Sequence, residues 1–157
     1  MSFCKKEFEC KAFLSQKDVS KIHFPEQYSL IWVGSLFTHF DENWFASLLK
    51  LLYDSLEIGG VLIFTTHGRY SIEIFEAYWP KEASPVSKND LIAKISKNDG
   101  FFFRPYSSGE PFGISISTKQ YLNNLVRTTL DSRARTIRYA ERGWDNHQDV
   151  YSIQKHP

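Results

Sequence analysis

Apolar residues along this chain follow three rhythms. Residues 28–33 read YSLIWV, with 30–33 continuously apolar, which predicts a short strand covered on both faces. From Asp41 the spacing changes. Phe45, Leu48, Leu49, Leu52 and Leu56 recur at helical intervals, the stripe of a helix packed along one side. Asp41 suits the N-cap, and Gly59 and Gly60 are predicted to end the helix. Residues 61–64 then form a second buried strand, which Thr65 and Thr66 carry to its rim. Residues 28–68 therefore read as a βαβ unit. Ligands of open α/β sheets bind outside the carboxyl ends of parallel strands. Loops 34–40 and 66–69 should face one crevice, and each carries a histidine.

The flanks are less regular. Residues 2–10 place Phe3, Cys4 and Phe8 at near-helical spacing, residues 11–15 (KAFLS) suit a brief strand, and Pro25 stops any helix from running into the next element. A helix is expected over 71–78, closed by Pro80. Residues 81–111 are rich in turn chemistry, interrupted by a short helix at 91–96 and by three phenylalanines at 101–103. They read equally as a substrate-side excursion or a long loop. Residues 113–117 (GISIS) alternate, and Ser117 or Thr118 caps a helix running to about Leu130. Residues 136–140 and 150–153 are two strands, with 141–149 (ERGWDNHQD) as the connection of an antiparallel hairpin. If the first is parallel to the buried pair, residues 144–149 share the rim with both histidine loops.

Composition narrows the partners more than the chemistry. A chain of 157 residues is expected to form one domain, and 19 basic against 18 acidic residues leave a net charge of +1. That balance gives no reason to expect nucleic acid or an anionic membrane. Cys4 and Cys10 fit neither a disulfide framework nor a zinc motif, and no apolar run nears the ~20 residues of a membrane span. A cytoplasmic location with reduced thiols is expected.

YSLIWVGSLFTHF, the leucine-rich helix and LEIGGVLIFTTHGR together resemble the middle of a class I S-adenosylmethionine-dependent methyltransferase. WDNHQDVYSIQK resembles the hairpin that closes that fold, particularly in bacterial enzymes acting alongside glycosyltransferases. The resemblance covers roughly residues 2–80 and 112–155. It implies a mostly parallel Rossmann-like α/β sheet with a C-terminal antiparallel hairpin. The chain departs from the family where its eight glycines form no G-x-G pair. The family's glycine-rich loop and ribose-holding acid are absent, because Met1 falls just after that acid's place. Residues 1–157 thus resemble a single, partial, N-terminally truncated domain lacking the first two strands, with 81–111 as an insertion. Either the 11–15 strand pairs with the 29–33 strand, or that edge stays open to self-association.

The resemblance places Val33, Gly34, Ser35 and Leu36 beside S-adenosylmethionine, though Gly34 also suits a plain tight turn. His39, His67 and His147 are candidate catalytic groups, as general base or as hydrogen-bond partners of the acceptor. His39 reads equally as a packed aromatic neighbour. Trp144 and Asp145 are candidate substrate contacts, with Trp144 also serviceable as a pocket wall. Scattered histidines without i, i+4 spacing predict no metal site. Arg127, Arg133, Arg135, Arg138 and Arg142 read as a solvated face before an anion site. The implied activity is methyl transfer to an oxygen or nitrogen nucleophile of a small-molecule or saccharide-type acceptor, with the truncated chain itself open to being inactive. The alternative is a non-catalytic remnant that binds another chain through its open sheet edge.

Overall fold

The computed structural model describes residues 2–16, 18–74, 87–109 and 111–157. Its centre is a four-stranded sheet ordered β1-β2-β6-β5, built from β1 (Tyr28–Val33), β2 (Leu56–His67), β5 (Ala134–Trp144) and β6 (Gln148–Lys155). β1 and β2 are parallel, and β6 runs antiparallel to both β2 and β5. β5 therefore points the same way as β1 and β2, so all three carboxyl ends lie on one rim. This mixed sheet is the expected Rossmann-like architecture.

Between β1 and β2 runs α2 (Glu42–Asp54), whose N-cap Asp41 accepts from the Trp44 amide at 2.8 Å. Phe45, Leu48, Leu49 and Leu52 of its predicted inner face are buried, whereas Leu56, which reads as the last of that stripe, begins β2 instead. The four meet Leu62 and Phe64 of β2, Tyr151 and Ile153 of β6, and the apolar stripe of α5 (Lys119–Thr129), including Leu122 and Val126. Phe64 stacks on Tyr151 with ring centroids 5.5 Å apart. Tyr121 of α5 donates to Glu42 of α2 at 2.9 Å, tying the two helices together. Thr118 is the α5 N-cap, as its position predicted.

Several expectations are corrected. The β1 segment is covered on one face only. Register pairs Leu30 with Val61 and Trp32 with Ile63, and on that face Leu30 and Trp32 remain 59% and 48% exposed. A continuous apolar run thus does not here mean two helical layers. Gly59 and Gly60 do not end α2. That helix stops at Ser55, whose amide and hydroxyl both bond the Leu51 carbonyl. The glycines lie inside β2, where the pairing jumps from Tyr28–Leu56 to Leu30–Val61. Gly59 takes φ +84°, and a Cβ on Gly60 would lie 2.8 Å from the Tyr28 carbonyl oxygen. Only glycine tolerates both conditions.

Residues 11–15 form no strand, and among the described residues β1 has only β2 as neighbour. The N-terminal helix α1 (Ser2–Glu7) forms, but Phe3 and Phe8 stay exposed. The helix after β2 is short, α3 (Arg69–Glu73), and the end expected near Pro80 lies outside the described residues. What read as an excursion or long loop holds α4 (Lys88–Lys97) and β3 (Phe101–Pro105), which pairs antiparallel with β4 (Gly113–Ser117). Leu91, Ile95, Phe102 and Ile116 make a second, smaller core there. The long connection expected over 141–149 shrinks to a tight turn. The His147 amide bonds the Trp144 carbonyl at 3.2 Å, and Asp145 and Asn146 both have positive φ, the signature of a type I′ hairpin turn.

Candidate functional site

Three loops leave the common rim: the one after β1, the one after β2, and the β5–β6 turn. Their polar side chains bond one another. Ser35 follows β1 in the left-handed region at φ +56°. Its amide donates to Thr65 Oγ1 at 2.8 Å, the Thr65 hydroxyl donates to Gln148 Oε1 at 2.6 Å, and Gln148 Nε2 donates to Ser35 Oγ at 2.9 Å. Such a closed ring holds a strained backbone that an isolated turn would relax. The Thr38 hydroxyl donates to the Ser35 carbonyl, tightening the short helical turn over Phe37–His39.

The β3–β4 hairpin supplies the site's fourth side. Its even-numbered positions face β3, since Tyr106 N donates to the Phe112 carbonyl and Thr118 N to the Gly100 carbonyl. Strand alternation then turns the Gly113 and Ser115 carbonyls the other way. His39 Nδ1 lies 3.1 Å from the Gly113 oxygen and His67 Nδ1 3.1 Å from the Ser115 oxygen. A carbonyl can only accept, so His67 Nδ1–H donates to it and, in the neutral ring, Nε2 keeps its lone pair. Tyr106 adds its hydroxyl to His39 Nδ1 at 2.7 Å. Ser115 Oγ donates to the Phe37 carbonyl at 3.0 Å, fixing β4 to the β1 loop.

Electrostatics separates the histidines. Burial pulls His67 down to about 4, reinforced by His147 and His39 and opposed only by the Ser115 carbonyl. His67 is therefore a neutral imidazole at physiological pH, a hydrogen-bond acceptor more than a proton carrier. The His67 and His147 rings lie 6.1 Å apart between centroids. His147 Nδ1 faces the Asp145 carbonyl at 3.1 Å. Among the described residues no three His, Cys, Asp or Glu side chains gather as a metal ion requires.

Behind the rim, buried Asp149 accepts from the Tyr139 hydroxyl at 2.8 Å and the Arg142 amide at 3.0 Å. Burial raises its pKa above the usual carboxylate range, opposed by those two donors. A Cβ on Gly68 would lie 1.9 Å from an Asp149 oxygen, so glycine is required where β2 leaves the sheet. Trp144 packs on Trp32 with centroids 5.0 Å apart.

Of the residues read from sequence, the structure brings His39, His67 and His147 onto one rim with Val33, Gly34, Ser35 and Leu36. Val33 is buried, Leu36 is exposed, and Gly34 lies against the Trp32 indole. The Asp145 side chain is 80% exposed and faces the solvent side of the turn.

No family model matches the chain, and no curated protein matches it in sequence. Solved structures do match. One is an S-adenosylmethionine-dependent methyltransferase from Clostridium acetobutylicum ATCC 824, at TM-score 0.61 and 12% identity over 99% of this chain and 70% of that one. Another is the glycopeptide N-methyltransferase MtfA, solved with S-adenosyl-L-homocysteine, at TM-score 0.51 and 14% identity over 92% of this chain and 61% of that one. The fold is that of S-adenosylmethionine-dependent methyltransferases.

Within this methyltransferase fold, sequence reasoning missed Thr65, Gln148, Tyr106 and Ser115. Sequence carries Thr65 to the rim with its strand but gives it no role there, and Gln148, the first residue of β6, lies in the stretch that reads as the hairpin connection. Tyr106 follows β3 in a stretch that reads as turns, and Ser115 lies in β4, whose alternation reads without a strand partner. The alternation of GISIS was the available signal for that strand.

Proposed function

We propose that the rim binds S-adenosylmethionine and presents its methyl group to an oxygen or nitrogen nucleophile of a small-molecule or saccharide-type acceptor. The observation that carries this reading is the convergence of the β1, β2 and β5 loops and the hairpin around three histidines, in a fold shared with methyltransferases. The residues fit part of the cofactor. Exposed Leu36 and Trp32 offer apolar surface, and the Ser35 hydroxyl bonds Gln148 on the same rim. The pieces expected to hold ribose and methionine, a G-x-G turn and a carboxylate at a strand end, have no counterpart assigned in the chain.

When bound, the cofactor would supply an electrophilic methyl group to the acceptor's lone pair. The chain's share is positioning, which provides much of the rate for such a transfer. His67 accepts a hydrogen bond from the acceptor through Nε2, and His39, steadied by Tyr106 and Gly113, receives the acceptor's proton. Trp144 walls the acceptor side. The near-neutral charge favours no nucleic acid or membrane partner, and the exposed free thiols of Cys4 and Cys10 suit a cytoplasmic setting.

The second reading, a module that binds a polypeptide and has no activity of its own, is favoured by the β1 edge, which has no strand partner among the described residues. Titration calorimetry with S-adenosyl-L-homocysteine separates the two. Saturable heat, weakened at least tenfold by Leu36→Asp in a variant that keeps its circular dichroism, supports the cofactor site. No heat from folded protein at millimolar ligand favours the module.

A further inference from the structure

His39 and His67 rest on the same strand and differ by one hydroxyl. Their Nδ1 atoms each lie 3.1 Å from a carbonyl oxygen of β4, Gly113 for His39 and Ser115 for His67. Among the described residues that carbonyl is the one hydrogen-bond partner of His67, so its ring is held with a proton on Nδ1. His39 Nδ1 has a second neighbour, the Tyr106 hydroxyl at 2.7 Å. The hairpin sets where that hydroxyl sits, since the Tyr106 amide donates to the Phe112 carbonyl at 3.0 Å. In its plane a ring nitrogen offers either one N–H or one lone pair. The carbonyl can use only the N–H, whereas the hydroxyl as a donor needs the lone pair. Both separations are ordinary for their bond type, so neither partner excludes the other.

We propose that Tyr106 is a positioning residue that lets His39 hold either tautomer, making it a proton relay where His67 is a fixed acceptor. The inference rests on the reading of the rim as an acceptor site. Each tautomer has its partner in place. With the proton on Nδ1, the Gly113 carbonyl accepts it and Nε2 is bare. With the proton on Nε2, the Tyr106 hydroxyl donates to the bare Nδ1.

The relay balances. As the acceptor's O–H or N–H bond breaks, an Nε2–H bond forms. The Nδ1 proton passes to Tyr106 Oη, and the hydroxyl's own proton passes to a water molecule. One proton has then moved from acceptor to water, Tyr106 is again a neutral phenol, and His39 is the Nε2–H tautomer. Exchange of ring protons with water restores the first tautomer after product leaves. Two further observations suit this path. Tyr106 is exposed among the described residues, within reach of water, and burial of its hydroxyl end raises its pKa above the ordinary value, so the phenol does not persist as an anion.

Long-range proton–nitrogen correlation spectra of the isotope-labelled full chain test this, recorded without cofactor or acceptor at a pH where the histidines are neutral. Such spectra read the tautomer of each ring, and His39→Gln and His67→Asn assign the signals. Wild-type His39 should show ring nitrogens averaged between two tautomers, beside a His67 fixed as Nδ1–H. Tyr106→Phe should move His39 toward the His67 pattern, lowering its ratio of Nε2–H to Nδ1–H about fivefold, the worth of one hydrogen bond, and leave His67 unchanged. Tyr106→Leu should act alike, and both should keep wild-type circular dichroism because Tyr106 is exposed. A wild-type His39 confined to one tautomer, or a ratio indifferent to both substitutions, overturns the proposal. Because no cofactor is present, the result is independent of calorimetry with S-adenosyl-L-homocysteine. A Tyr106-dependent tautomer in a chain that gives no heat there supports the switch and removes only the acceptor reading.

Discussion

His67 shows how one side chain couples the rim to the stability of the fold. Burial of its ring, helped by His147 and His39, holds its pKa near 4 against the ordinary 6.5, even though its Nδ1–H is committed to the Ser115 carbonyl. The folded chain therefore refuses a proton that the unfolded chain accepts below 6.5. Stability contributed by neutral His67 is complete above that pH and is lost progressively as pH falls from 6.5 to about 4, a span worth roughly 3 kcal/mol. Asn at position 67 keeps a donor near the Ser115 oxygen and cannot titrate. Urea unfolding at pH 7, 5.5 and 4.5 should show His67→Asn losing much less stability on acidification than wild type. Equal acid sensitivity in the two proteins would refute the assignment. Sequence located His67 on the rim because the βαβ pattern fixes where a strand ends. It could not show that the ring is neutral, since the burial responsible comes from tertiary packing that includes a strand 48 residues later.

The α2–β2 junction explains what was and was not legible among the elements. Asp41 and the 45–48–49–52 stripe announced α2, because a cap and a periodicity are local signals. Its end was misread, because the group that closes it is remote. Lys155, at the last position of β6, is buried, and its ammonium donates to the Asp54 carbonyl at 3.2 Å and the Leu56 carbonyl at 2.9 Å. A cation on the last carbonyls of a helix offsets its dipole and satisfies orphan acceptors. Gly59 and Gly60 were thereby free to serve the β2 bulge. The turn between β5 and β6 teaches the converse lesson. Asp145–Asn146 is a local type I′ signal, hidden within a polar stretch that is mostly strand. Lys155→Met preserves most of the packed stem and removes the ammonium, leaving two carbonyls unpaired. It should cost about 2 kcal/mol by thermal or urea unfolding at neutral pH. A loss below about 0.5 kcal/mol would mean that water satisfies those carbonyls as well.

At the scale of the molecule, the sheet is a wall with one furnished side. α2, α5 and the 37–39 turn contribute to a core against the face carrying Val33, Leu62, Phe64, Tyr151 and Ile153, every one of them buried. The opposite face carries Leu30, Trp32, Val61, Ile63, Arg135 and Arg138 and is partly or fully exposed at these positions. Leu62 and Ile63 are neighbours in one strand, of equal size, and distant from the β1 edge by one strand, so they report the asymmetry with little else changed. Truncating fully buried Leu62 to alanine should cost about 2–5 kcal/mol, through lost transfer free energy and a cavity that packed neighbours cannot collapse. Ile63→Ala removes similar atoms from a half-open surface, forms no closed cavity, and should cost about 1 kcal/mol or less. Matched urea titrations give both values, with unchanged m-values as the check that each variant unfolds from the same compact state. Comparable losses at the two positions would require a second layer over the Ile63 face. Leu30 and Trp32 are exposed on that face, and a sheet that can lose an apolar side chain so cheaply on one face owes its stability to the other.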